Sequence, residues 1–111
     1  MPFDATEYKT THRTIGPVEQ TLIEARELIS TPEKWARSSR ELGDKHCIVS
    51  AVHCATDRLL SMEGRRPIHS LLEKAAGCNW IFGWNDAPTT IHADVMSAFD
   101  WAIALAAAEG A

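Results

Sequence analysis

Ile91, Val95, Phe99, Ala102, Ile103 and Ala106 recur at the 3.6-residue interval of an α-helix, and this run constrains the fold more than any other feature of the chain. Met96, Ala98 and Leu105 widen the apolar stripe. The spacing predicts a helix from about Thr90 to about Ala108, roughly 28 Å long at 1.5 Å per residue. That is the full width of a domain this size. An element so apolar must pack against others.

The rest of the chain supplies them. Gly16-Pro17 opens a first helix, because proline is preorganised for the first helical position and gives up no needed donor there. Val18, Leu22, Ala25 and Ile29, with Leu28 beside them, form its apolar stripe, and Ser30-Thr31-Pro32 ends it and starts a short turn. In that turn Thr31 caps and Pro32 takes the first position. Trp35 is expected to plug one end of the core, and Ala36 to Asp44 to form a charged connection closing at Gly43. A second long helix, from about Lys45 to Met62, gathers Ile48, Ala51, Val52, Ala55, Leu59 and Met62 on one side. His46, Ser50, His53 and Asp57 gather on the opposite side. Glu63 to Pro67 reads as a loop, and a short third helix then turns Ile68, Leu71, Leu72 and Ala75 inward until Gly77 stops it.

Trp80-Ile81-Phe82 reads as a buried aromatic run, followed by a turn-and-cap segment from Gly83 to Thr90. There Trp84 supplies an apolar body, Asn85 and Asp86 are suited to bonding neighbouring backbone N–H groups, and Thr89 or Thr90 caps the last helix. Met1 to Thr14 is polar and reads as an arm. The fold class predicted is all-α: a compact, irregular bundle of about four helices over residues 15–111, preceded by an N-terminal arm at residues 1–14.

Composition narrows the function. The 111 residues are 45% hydrophobic and 23% charged, the balance of one soluble globular domain. A formal net charge of −4 gives no case for nucleic acid as a partner. No apolar run approaches the roughly 20 residues needed to span a bilayer, and the first residues lack the basic and apolar regions of a secretion signal. Three cysteines (Cys47, Cys54 and Cys78) cannot all pair, which suits a reducing, cytoplasmic setting.

The order of the elements carries a resemblance. Trp35 sits in a charged turn, Gly43 precedes Cys47 by four residues, and Ser50-Ala51 follows in the same helix. A short Leu-Leu helix, Trp84-Asn85-Asp86 and a final helix with Asp100, Trp101, Ala102 and Ile103 complete the series. The chain resembles a family of small helical proteins of bacteria and their phages, classed as a domain of unknown function. The resemblance runs from Val18 to Ala106, with Ser50 where the signature has a second glycine. It implies the helical fold and assigns no activity.

The residues offer five kinds of chemistry. Metal binding would draw on His46, Cys47, His53, Cys54, Cys78 and His92, but like pairs seven residues apart on one helix lie roughly 10 Å apart. No metal and no cofactor is expected. Nucleophilic catalysis would use His53 oriented by Asp57 one turn on, yet a polar face opposite an apolar stripe is the ordinary design of a surface helix. Asp86, with Trp84 as a stacking wall and Asn85 beside it, forms a candidate ligand site that also serves as a turn. An anion site for a phosphate or an acidic partner would use Lys34, Arg37, Arg40 and Lys45, joined by Arg65 and Arg66, but Glu33, Glu41 and Asp44 interrupt the run, which reads as a solvated, salt-bridged surface. Trp101 lies about 160° around the last helix from Phe99 and is placed to face a second subunit, with Ala104, Ala107 and Ala108 allowing close approach. The function expected is that of a protein-interaction or accessory module, forming a homodimer or meeting a protein or small-molecule partner. The alternative is a small enzyme or ligand-binding protein using His53 and Asp57, or Asp86, in a cleft.

Overall fold

A computed structural model describes residues 15–37, 44–59 and 65–111, without the side chains of residues 57–59. The expected arm, the connection through Gly43, Arg40, Met62 and the Asp57 side chain lie outside the described residues. Five α-helices are present among those described: α1 (Pro17–Leu28), α2 (Ile48–Leu59), α3 (Arg65–Ala76), α4 (Ile81–Asp86) and α5 (His92–Glu109). A single 3₁₀ turn, Pro32–Lys34, follows α1.

The stripes seen in the sequence build the core. Leu22, Ala25 and Ile29 meet Ile48, Ala51 and Val52 where α1 packs on α2. α5 lies along α3 and also against α1, so that Val95, Phe99, Ala102 and Ala106 close over Ile68 and Leu72. Phe99 is fully buried, and burial of a side chain that size contributes about 1.5–3 kcal/mol. Thr21 and Thr56 are buried without cost because each hydroxyl donates to the carbonyl one turn back, on Pro17 and Val52 respectively. Gly77, in the left-handed region at φ 74°, ends α3, and the Cys78 N–H returns to the Glu73 carbonyl. The last carbonyl described, that of Ala111, accepts the N–H groups of Val18 and Glu19, which caps the start of α1 with backbone.

Three expectations are corrected. Trp80-Ile81-Phe82 is not a buried run: Ile81 is fully buried, but Trp80 is 65% and Phe82 44% exposed. These residues begin a helical turn, so successive side chains point about 100° apart and only one reaches the core. Trp84, Asn85 and Asp86 belong to that same helix, α4, rather than to a turn. Finally, neither Thr89 nor Thr90 caps α5. Ile91 occupies the N-cap with no side-chain acceptor, and the Asp94 carboxylate receives the Ile91 N–H at 3.1 Å. Ile91 therefore precedes the helix and is exposed, whereas Val95 and Phe99 are fully buried as the periodicity requires.

Candidate functional site

Asn85 is the most constrained polar side chain of the molecule's centre. It is 1% exposed. Its Oδ1 accepts the indole N–H of Trp35 at 2.8 Å and the backbone N–H of Ile48, the first residue of α2, at 3.1 Å. Its amide nitrogen donates to the carbonyls of Ala36 and Arg37, at 3.2 and 2.7 Å, and to Asp86 Oδ1 at 3.0 Å. The segment it holds is fixed from the other side too. Trp35 and His46 form an isolated parallel bridge, with Ala36 N–H donating to the His46 carbonyl and His46 N–H to the Lys34 carbonyl, both at 2.9 Å. The Arg37 guanidinium lies 5.4 Å from the Trp35 ring centroid and donates to the Ala87 carbonyl. Asn85 is thus a tie between α4, the start of α2 and the chain entering from α1.

Trp84 and Asp86 point elsewhere. Trp84 is half-buried against the core and lines a groove of about 420 Å³ with Ala75, Ala76, Thr90, Ala98 and Trp101. Asp86 is exposed and faces the other side, so the structure separates the expected stacking wall from the expected carboxylate. Asp86 does not bind the backbone ahead of α5; Asp94 does that.

Asp86 instead shares a cleft of about 480 Å³ with Cys47, Ser50 and His53 of the α2 end, Arg65 and His69 of α3, and Phe82. That volume lies in the range of small-molecule sites. The expected solvated face of the second helix is therefore corrected in part. His53 is exposed, but Ser50 is half-buried, with its hydroxyl 2.8 Å from His46 Nδ1, and both Ser50 and His53 form cleft wall. Cys47 stands at the start of α2, where its Sγ accepts the Ser50 N–H at 3.4 Å. The His69 ring meets Phe82 edge-on, with centroids 6.1 Å apart and planes at 83°. Its Nε2 is shielded from solvent and has no hydrogen-bond partner among the described residues. Desolvation lowers the His69 pKa, Glu73 opposes this, and Arg65 adds to the lowering, so the imidazole is neutral at pH 7.

The remaining candidates are dispersed. Cys54 lies beside Glu24 and Glu27, and Cys78 follows α3, where burial pushes its thiol upward in pKa. All three cysteines are thiols. His92 holds the carbonyl of Ile29 at 2.8 Å and stacks 6.2 Å from Trp35. Among the described residues no three histidine, cysteine or acidic side chains converge as a metal site, and no helix is long and apolar enough to cross a membrane. Sequence reasoning missed His69 and did not bring Arg65 or Phe82 into this cleft. The signal for the first two was present, since Arg65 and His69 are one helical turn apart and so share a face.

An all-α domain built around a buried asparagine tie, with a mixed polar and aromatic cleft beside it, is the class of protein that these features define. The chain belongs to the family of unknown function DUF6197, whose model matches residues 14–105. No curated protein and no solved structure matches it.

Proposed function

We propose that this protein is an interaction module that works as a homodimer through the outer face of α5. The observation that carries this reading is that α5 is apolar around its whole circumference from Trp101 to Ala108. Val95, Phe99, Ala102 and Ala106 face the core, yet Trp101 on the opposite side is 64% exposed. Ala104 and Ala108 extend that outer stripe, and α5 contains no lysine or arginine. Two helical turns that are apolar on all sides are ordinarily covered on all sides. Tryptophan is also enriched at interfaces, where a large rigid ring fills a partner's hollow.

A second copy is the favoured occupant. Trp101 lines one side of a groove whose other walls are Ala75, Ala76, Trp84 and Ala98, with Thr89, Thr90, Asp94 and Ser97 as a polar rim, so projection and socket lie on the same face. That is the condition for a two-fold contact, in which each copy gives what it receives. Alanines at 104 and 108 let two helix backbones approach closely. Three thiols support a reducing, cytoplasmic setting for the module.

Sedimentation equilibrium tests the reading. Wild-type protein is expected to be a dimer at about 100 µM, a concentration suited to weak to moderate self-association. Trp101→Asp is expected to be a monomer with unchanged helix content, because the side chain it replaces contributes little to the monomer's core. Wild-type protein that stays monomeric at that concentration overturns the homodimer.

A further inference from the structure

The cleft between α2, α3 and α4 lies apart from the α5 face, and its chemistry points to a different kind of partner. Four features converge there. The first is size, about 480 Å³, enough for a small organic ligand.

The second is a fixed aromatic margin. Phe82 forms part of the wall, and the Trp80 ring lies 5.9 Å from it at an interplanar angle of 35°. Both rings are substantially exposed. Trp80 folds back over Gly83, where a Cβ would come within 2.8 Å of the indole, so the absent side chain is what lets the ring lie there. Exposed rings held in place by the backbone cost little entropy to stack upon.

The third is the His69 imidazole, with Nε2 out of reach of solvent and bonded to nothing among the described residues. Such a group is costly in the empty site and gains a bond when a ligand seats against it. Phe82 packs edge-on against this ring, so the aromatic wall and the imidazole meet at one corner of the cleft. Being neutral, the imidazole offers one donor and one acceptor. The fourth is charge. Arg65 and Asp86 give the walls one formal charge of each sign, and the chain as a whole carries −4. The site therefore selects neither an anion nor a cation.

We infer that the cleft binds a small, uncharged, planar heteroaromatic molecule, which lies against Phe82 and hydrogen-bonds to the His69 imidazole. A ring with an amide-type edge, presenting donor and acceptor together, matches both walls.

Titration of ¹⁵N-labelled protein tests this, with nicotinamide and uracil as uncharged probes and benzoate and benzylamine as charged ring controls. Run in the Trp101→Asp background, it is independent of the oligomeric state. At least one uncharged probe is expected to saturate with a Kd of about 1 mM or tighter, the range for ligands of about ten non-hydrogen atoms. Its shifts should map to Ser50, His53, His69 and Phe82, and both charged rings should bind at least about tenfold more weakly. Phe82→Ala, a change at an exposed ring that leaves the fold intact, and His69→Leu are each expected to weaken binding about tenfold. Should His69→Leu fail to fold, Phe82→Ala decides. The inference is overturned if neither uncharged probe saturates below about 10 mM. Shifts that gather around Trp101, charged rings that bind as well as the uncharged ones, or a Phe82→Ala variant that binds like wild type overturn it equally.

Discussion

Asn85 and His69 both put polar atoms out of water, on neighbouring sides of α4, and they do so in opposite ways. Asn85 engages both ends of its amide, tying together three segments that are far apart in sequence. His69 Nε2 is shielded from solvent and engages nothing among the described residues. A buried polar group with all its partners specifies one arrangement of the chain, whereas one without partners costs stability and needs another reason to be there. The contrast divides the Trp84-Asn85-Asp86 segment by role: Trp84 packs, Asn85 ties, and Asp86 lines the cleft. It also adds Arg65 and His69 of α3 to a cleft that holds His53 and Asp86.

The largest expected effect lies on the Asn85 side of that contrast. Asn85→Ala removes the partner of the buried Trp35 indole N–H, Ile48 N–H and Ala36 carbonyl and of the half-buried Arg37 carbonyl, so urea unfolding is expected to show a loss of about 2–4 kcal/mol. A loss under about 0.5 kcal/mol would dissolve the contrast. Trp35→Phe keeps most of the ring and removes one donor to Asn85. A smaller loss, about 1–2 kcal/mol by thermal unfolding, is expected.

The smallest effect belongs to His69 and is read from pH. Its folded pKa lies below its ordinary value of 6.5 because burial disfavours the cation. The unfolded chain therefore binds more protons than the native one, and stability falls as pH drops through about 6.5 toward the folded value. Denaturation series between pH 7.5 and pH 5 are expected to show that decline, with a shallower slope in His69→Leu. Equal slopes in the two proteins would mean that His69 titrates alike folded and unfolded.

Much of this was legible in the chain. The stripes of α1, α3 and α5 are long enough for their period to be unambiguous, and the structure buries Leu22, Leu72 and Phe99 as that period requires. α4 was not legible, for reasons that are physical. It has six residues, includes Gly83, Asn85 and Asp86, which are weak helix formers, and buries one apolar side chain, too few to set a period. Asn85 favours turns by its local chemistry, yet the groups that hold it sit 37 to 50 residues away. His69 escaped notice because Arg65 to Pro67 reads as loop, while the structure begins α3 at Arg65 and sets the two side chains one turn apart. Trp101 needed no tertiary information: its angle around the helix already set it opposite Phe99.

The claim that His69 does not hold the fold together is tested most directly by the stability of His69→Leu at pH 7.5, measured against wild type by urea denaturation. Replacing a half-buried imidazole whose Nε2 is unpartnered by a hydrocarbon of similar size is expected to leave stability unchanged or raise it by about 1 kcal/mol. A loss of about 2 kcal/mol or more, the size expected for Asn85, would show that the imidazole has a structural partner after all and would contradict the account.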